Sequence, residues 1–180
     1  MSAPEVHDAK LSGKTSFPRW LVFSLGLVFW TVLLPSLHGV VPWGLSLLTD
    51  RYGWELGRPG IWNLLALVLV AVGAVLFIWV LVLHFVRIPQ RVEFELTPKY
   101  LLKGGPYRFT RNPMFLALLA LWLGWALFYG GVAVLIGCSV LWIVMSFVVR
   151  WEERRLEARF GEAYLPYKRT VPRWLGKARS

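Results

Sequence analysis

The residues best suited to chemistry begin in a polar loop that runs directly into an apolar stretch. Residues 104–116 read GGPYRFTRNPMFL, with Asn112 immediately before Pro113. This pair predicts a helix start, because Asn accepts hydrogen bonds from the free N–H groups of a first turn and Pro fits the first helical position. A helix N-terminus with Arg111 beside it would bind an anion. The alternative is simple capping, with Arg108 and Arg111 on lipid phosphates.

A second polar segment begins at Glu152-Glu153, after two further apolar stretches. Val149, Glu153 and Leu156 follow at helical spacings, which puts Glu153 on the apolar face of a helix. A carboxylate there predicts ligand binding, because an ionisable group near the packed end of a membrane helix is costly. The alternative is a charged cap where the helix leaves the membrane. A surface ion pair with Arg155 would explain Glu152.

Apolar helices must position these two segments. The chain is 57% hydrophobic with a mean hydropathy of +0.55, which excludes an ordinary soluble domain. Four stretches approach the roughly 20 residues that span hydrocarbon, namely residues 20–41, 61–86, 113–129 and 131–149. We expect an all-α polytopic membrane protein with about four transmembrane helices, or five if one segment is broken or re-entrant. Pro35 predicts a kink or an early end in the first stretch.

The basic residues predict the orientation of these spans. Residues 1–19, residues 87–112 and the tail from Arg150 together carry 18 of the 20 Lys and Arg residues. Four spans would put these regions on one side, which the positive-inside rule assigns to the cytoplasm. We therefore expect a prokaryotic inner-membrane protein with both termini in the cytoplasm. The net charge of +10 indicates this topology and attraction to anionic lipid headgroups, not nucleic-acid binding.

Three regions are expected along the chain. Residues 1–19 form a cytoplasmic tail, residues 20–86 form two spans with a short external loop, and residues 87–180 form the core that holds both polar segments. The loop at the start of that core is rich in Pro and Gly, so we expect turns with short strands around residues 91–96. Gly161 is expected to end the helix that carries Glu153.

Cysteine and histidine contribute little to the predicted chemistry. Cys138 is the only cysteine, so no disulfide can form within the chain, and its apolar neighbours favour a small buried side chain over a nucleophile. His7, His38 and His84 are scattered without metal-ligand spacing, so we expect no metal site.

The two polar segments together resemble the membrane methyltransferases that include isoprenylcysteine carboxyl methyltransferases and phospholipid N-methyltransferases. The family pattern is GPYR-x-x-R-[HN]-P-M-[YF], an apolar hairpin, and then EE-x-x-L-x-x-x-FG-x-x-Y-x-x-Y. It spans about residues 100–175 here, as Gly105-Pro106-Tyr107-Arg108, Arg111-Asn112-Pro113-Met114-Phe115, Glu152-Glu153, Leu156, Phe160-Gly161, Tyr164 and Tyr167, closing with Val171-Pro172-Arg173. Asn112 replaces the His of the eukaryotic prenyl-cysteine enzymes, and Phe115-Leu116-Ala117 replaces Tyr-x-Gly, which disfavours a prenyl-cysteine carboxylate as acceptor.

The resemblance implies S-adenosylmethionine as the methyl donor, held at the cytoplasmic membrane face by the loop and the Glu-Glu segment. Its carboxylate suits Arg111 and the helix start at Asn112. Its ribose hydroxyls and amino group suit Glu153 or Glu152, and its adenine suits a tyrosine. The expected cofactor-binding residues are Gly105, Pro106, Tyr107, Arg111, Asn112, Pro113, Glu152, Glu153, Tyr164 and Tyr167. Arg111, Asn112 and Glu153 are expected at the reaction centre.

The expected activity is direct methyl transfer to a lipophilic or amphiphilic acceptor that reaches the site from the bilayer. Lipid amines, prenylated or small thiols, and isoprenoid or quinone-like molecules all fit, and for an amine Glu153 would accept the proton. Two alternatives stay open. One is a non-catalytic lipid-binding or scaffold protein, and the other is an NADPH-dependent membrane reductase, since sterol reductases are distantly similar in their C-terminal helices.

Overall fold

The computed structural model describes residues 16–29, 36–86, 91–93 and 101–175, and these residues are mostly helical. The helices are α1 (Arg19–Val28), α2 (Val41–Ser46), α3 (Ile61–Val86), α4 (Pro113–Tyr129), α5 (Val132–Phe160) and α6 (Leu165–Thr170). A π-helical turn at Ser36–Val40 leads into α2, and 3-10 turns occur at Gly105–Arg108 and Gly161–Ala163.

Four short strands modify the expected all-α class. β1 (Ser16–Pro18) pairs antiparallel with β4 (Arg91–Glu93), and β2 (Trp54–Glu55) forms a hairpin with β3 (Arg58–Pro59). β4 lies where short strands were expected, although residues 94–96 are outside the described part of the chain. The hairpin was not predicted, because its turn needs a positive φ of 50° at Leu56, a residue type that seldom adopts this conformation.

The helices α3 and α4 begin and end at the predicted residues and pack antiparallel with close backbones. A Cβ added to Gly73 would lie 2.9 Å from the carbonyl oxygen of Ala117, and one added to Gly124 would lie 2.9 Å from the amide nitrogen of Val70. Small residues at such crossings are typical of membrane helices, where close packing replaces the hydrophobic effect between spans. This pair forms a rigid base for the loop that precedes α4.

The turn between α4 and α5 is fixed by the loop that precedes α3. Gly130 has a φ of 61° and its carbonyl accepts a hydrogen bond from the amide of Tyr52 at 3.2 Å. The Asn63 side chain donates to the carbonyls of Leu127 and Phe128 at 3.2 and 2.9 Å. These carbonyls end α4 and have no partner within the helix, so Asn63 satisfies them.

The last long helix extends further than expected. The predicted span at residues 131–149 is the first part of one continuous helix, α5, which carries Glu153 within it and ends before Gly161 as predicted. Among the described residues, Ile61–His84 and Val132–Ala163 are long and apolar enough to cross a membrane, and Pro113–Tyr129 is apolar but shorter.

The first predicted span is described only in part. Helical residues occur in Arg19–Val28 and from Ser36 to the end of α2, which extends past the predicted limit at residue 41 to Ser46. Pro35 and its predicted kink lie outside the described residues.

Candidate active site

The two polar segments meet at an ion pair between Arg111 and Glu153. Nη2 of Arg111 lies 3.4 Å from Oε1 of Glu153, and the two side chains are only 9% and 4% exposed. Arg111 ends the loop before α4, whereas Glu153 lies on the face of α5 that also buries Val149. The apolar helices therefore bring together two residues that are 42 positions apart in sequence.

Arg173 is a second arginine on the same carboxylate, and sequence analysis had placed it only at the close of the family pattern. Its Nε lies 3.1 Å from each oxygen of Glu153, and its Nη2 donates to Oε2 at 2.7 Å. These hydrogen bonds raise the pKa of Arg173, which stays charged. The Val171-Pro172-Arg173 ending of the family pattern is the signal that could have identified this residue, because arginine is suited to fork-like pairing with carboxylates.

Asn112 starts α4 by position, but the predicted side-chain cap is wrong. Its carbonyl accepts the first helical hydrogen bond from Leu116 at 3.1 Å, and Pro113 takes the first helical position as expected. No first-turn N–H donates to its side chain. Instead, Nδ2 donates to the carbonyl of Arg173 at 3.1 Å and to Oε1 of Glu153 at 3.4 Å. The buried carboxylate and the tail carbonyl outcompete the local cap, because they need a donor that water cannot supply.

The tail after α6 is held against the loop by its backbone. The amide of Arg111 donates to the carbonyl of Pro172 at 3.0 Å, and the hydroxyl of Thr110 donates to the carbonyl of Arg173 at 2.9 Å. Thr110, which sequence analysis did not single out, also accepts a hydrogen bond from the amide of Asn112 at 3.2 Å. The loop, the tail and α5 therefore form one polar cluster, which we call the Glu153 cluster: Thr110, Arg111, Asn112, Glu153 and Arg173.

Three buried donor atoms beside this cluster have no hydrogen-bond partner within the described part of the chain. They are Nε and Nη1 of Arg111 and the hydroxyl of Tyr164. Burial raises the pKa of Tyr164 to about 12, with the charge of Glu153 adding to the rise and that of Arg111 opposing it. The hydroxyl is thus protonated at neutral pH and can donate. Leaving a buried donor unpaired costs about 1–3 kcal/mol, so this group of atoms is suited to an acceptor from outside the chain.

A comparison with known families matches the same part of the chain. The family model described as phospholipid methyltransferase matches residues 61–163, more than half of the chain, and includes Arg111, Asn112 and Glu153. The chain belongs to the phospholipid methyltransferase family. An uncharacterized protein of Haemophilus influenzae is 38% identical over 63 residues, which are 34% of this chain and all of that protein. No solved structure matches the chain significantly.

Membership of the phospholipid methyltransferase family implies methyltransferase activity, and with the two apolar helices it indicates a membrane protein. The family match ends at residue 163. Tyr164 and Arg173 of the candidate site therefore lie beyond the region that matches the phospholipid methyltransferase family.

The three tyrosines predicted for this family site differ in exposure. Tyr164 is 0% exposed and Tyr167 is buried beside it, in an apolar cluster with Val171. The hydroxyl of Tyr167 donates to the carbonyl of Tyr107 at 2.8 Å, and burial is the largest cause of its raised pKa. Tyr107 is half-buried, with its ring 6.1 Å from that of His84. Of the three tyrosines, only Tyr107 is partly exposed, and it packs against the cluster that contains the other two.

The predicted glycine and proline positions shape the loop before the Glu153 cluster. Gly105 has a φ of 60°, and an added Cβ would lie 3.0 Å from Cδ1 of Leu83 on α3. Pro106 is buried, and its carbonyl accepts hydrogen bonds from Phe109 at 3.1 Å and Thr110 at 3.3 Å. This 3-10 turn places the loop before α4 next to Leu83 near the end of α3.

Glu152 is half-buried and takes no part in the hydrogen bonds of the Glu153 cluster described above. Glu157, one turn after Glu153 on α5, pairs instead with Lys168 at 2.5 Å. No group of His, Cys, Asp and Glu within the described ranges could hold a metal ion.

Proposed function

We propose that this protein is an integral membrane methyltransferase that uses S-adenosylmethionine and a lipophilic or amphiphilic acceptor at the cytoplasmic membrane face. The observation that carries this proposal is the Arg111–Glu153 contact, next to buried donors that lack an acceptor within the described part of the chain. Family membership supports the reaction type.

The unpaired donors fit the carboxylate of the cofactor. Nε and Nη1 of Arg111 remain available while Nη2 faces Glu153, so this arginine can bind a second anion without releasing the first. The hydroxyl of Tyr164 adds a neutral donor. A carboxylate bound here would satisfy atoms that are otherwise buried at a cost, which supports Arg111 and Tyr164 as its partners.

In this proposal the carboxylate of Glu153 positions Arg111, and that of Glu152 binds the cofactor. The oxygens of Glu153 face Arg111, Asn112 and Arg173, so its main role is to hold Arg111 in place. Glu152 is the carboxylate left to accept hydrogen bonds from the ribose hydroxyls or amino group, and Tyr107 offers a ring for adenine. To accept the proton of an amine acceptor, as expected from the sequence, Glu153 would first have to release its pairing with Arg111 or Arg173.

When bound, S-adenosylmethionine supplies an activated methyl group whose direct transfer to a nucleophilic atom needs no covalent enzyme intermediate. The contribution of the chain is alignment, since holding two reactants in register lowers the entropic part of the barrier. Asn112 and Arg173 limit the motion of Glu153, and Glu153 limits the motion of Arg111.

The length of α5 supports a site at the membrane surface. Glu153 follows Val132 by 21 residues, which corresponds to about 31 Å and so to the roughly 30 Å thickness of hydrocarbon. The positive-inside pattern assigns this end to the cytoplasm of a prokaryotic inner membrane. We propose four spans, in which the helices from α1 to α2 form the first, α3 the second, α4 the third and α5 the fourth. An acceptor could then approach from the bilayer, and the water-soluble donor from the cytoplasm.

Binding of radiolabelled S-adenosylmethionine to the full chain in lipid nanodiscs tests the proposal. Arg111→Gln should weaken binding about tenfold or more, because it removes the charged N–H groups that are proposed to bind the cofactor carboxylate. Arg108→Gln, at an exposed position three residues earlier, is the matched control and should bind normally. Absence of binding to the unmodified protein would reject the methyltransferase, and NADPH binding in its place would favour the reductase. Equal loss in both variants would show that the site is misplaced.

A further inference from the structure

The cytoplasmic part of α5 presents an exposed stripe on the side opposite to its buried face. Phe147 and Trp151 are 64% and 51% exposed, and Arg150 and Arg154 are exposed beside them. Positions 147, 150, 151 and 154 share one helix face. We call these four residues the arginine stripe. It is distinct from the Glu153 cluster, because Glu153 points into the protein.

The stripe lies at the depth of the lipid headgroups. Arg150 follows the first residue of α5 by 18 positions, or about 27 Å along the helix, against a hydrocarbon thickness of roughly 30 Å. Trp151 is an aromatic residue of the kind that concentrates at this level of a membrane protein. The guanidinium groups of Arg150 and Arg154 are therefore within reach of phosphate groups. The exposed ring of Phe147 faces acyl chains, and that of Trp151 lies at the interface with the guanidinium of Arg155 at 4.4 Å from its centroid.

The charge of the stripe is not balanced by carboxylates of the described residues. Glu153 pairs with Arg111 and Arg173, and Glu157 pairs with Lys168. No carboxylate of the described residues pairs with Arg150 or Arg154. The guanidinium of Arg150 lies 5.8 Å from the ring centroid of Phe147, a contact that leaves its hydrogen-bond donors free.

We infer that the arginine stripe binds the headgroup of an anionic phospholipid in the leaflet that faces the Glu153 cluster. Two cations at phosphate depth, flanked by exposed aromatic rings, complement a lipid with net negative charge better than a zwitterionic one. Because Glu153 lies between Arg150 and Arg154 in sequence, a lipid bound to the stripe would also fix the depth of the Glu153 cluster relative to the membrane surface. The inference does not depend on the proposed methyl donor.

The test is native mass spectrometry of the purified full chain in mixed micelles that contain phosphatidylglycerol or phosphatidylcholine. The unmodified protein should retain phosphatidylglycerol in preference, by about tenfold, and the preference should fall as salt is raised from about 0.05 M to about 0.5 M. The double variant Arg150→Gln, Arg154→Gln should lose most of the preference. Arg150→Lys, Arg154→Lys should keep most of it, because the charge remains.

The matched control is Arg58→Gln, Arg169→Gln, which removes the same charge from two exposed positions outside α5. It should bind lipid as the unmodified protein does. Equal retention of the two lipids by the unmodified protein would overturn the inference, and so would unchanged preference in the glutamine variant of the stripe. If that variant does not fold, the salt dependence and the lysine variant test the inference. A preference for phosphatidylglycerol that does not change with salt concentration would reject it.

Discussion

Tyr164 and Tyr167 are neighbouring buried tyrosines whose hydroxyls have different surroundings. That of Tyr167 donates to a carbonyl, whereas that of Tyr164 has no hydrogen-bond partner among the described residues. In the ligand-free protein, Tyr167→Phe should lower stability by about 1 kcal/mol, but Tyr164→Phe should leave it unchanged or higher, because it removes an unpaired polar atom. Melting in detergent measures both.

Binding of the methyl donor should reverse the stability ranking of these two variants. If the Tyr164 hydroxyl binds the cofactor carboxylate, Tyr164→Phe should weaken S-adenosylmethionine binding about three- to tenfold. Ligand binding should then stabilise Tyr164→Phe less than the unmodified protein. A Tyr164→Phe protein that melts lower without ligand and binds normally would contradict this assignment.

Arg173 contributes to the Glu153 cluster in two separable ways. Its side chain pairs with Glu153, whereas its backbone carbonyl accepts from Thr110 and Asn112. Arg173→Gln should therefore cost about 1–2 kcal/mol, less than a fully buried pair because the side chain is 36% exposed. Arg173→Lys should cost part of this, since lysine keeps the charge but lacks the fork.

Chemical denaturation of the Arg173 variants measures this cost, with Arg169→Gln on the exposed side of α6 as control. The control should unfold at the same denaturant concentration as the unmodified protein. A loss as large in Arg169→Gln as in Arg173→Gln would indicate a general effect of tail charge and not the pairing seen with Glu153.

At the scale of elements, contact between the α3 and α4 backbones positions the loop that holds Arg111. Gly73→Ala should destabilise the protein by about 1–3 kcal/mol, because its Cβ would meet backbone atoms that cannot move independently. Gly44→Ala in α2 is the matched control, since nothing lies within 4 Å of its Cβ, and it should stabilise by about 0.5–1 kcal/mol through helix propensity. Equal melting temperatures for the two variants would argue against this helix contact.

The same elements show what the sequence could predict. The helices α3 and α4 were predicted to the residue, because each is a long apolar run with clear limits: Gly60 and Arg87 flank α3, and Pro113 and Gly130 mark the ends of α4. The pairing of β1 with β4 was not, since it joins segments more than 70 residues apart. The predicted Asn112 cap is wrong and the pairing of Arg173 with Glu153 was not predicted, and the reason is the same. Both depend on the position of the tail after α6 against the loop before α4, a long-range contact that local residue preferences do not encode.

For the whole molecule, the proposed topology places the β2–β3 hairpin outside the cell and α6 in the cytoplasm. Leu56, at the hairpin tip, is 103% exposed, and Arg169 is exposed on α6. Both positions therefore accept a cysteine for chemical labelling. Because Cys138 is the only native cysteine, Cys138→Ser provides a cysteine-free background for Leu56→Cys and Arg169→Cys.

A membrane-impermeant maleimide should label Leu56→Cys in intact spheroplasts and Arg169→Cys only in inside-out vesicles. The physical reason is the charge distribution, since 18 of the 20 Lys and Arg residues would have to cross the membrane in the opposite orientation. Detergent-solubilised samples, in which both cysteines should react, control for buried thiols. Labelling of both cysteines in intact spheroplasts would put both on the outer face, which requires an even number of spans between them in place of α3, α4 and α5. It would also separate the Glu153 cluster from the cytoplasmic donor that the proposed reaction needs.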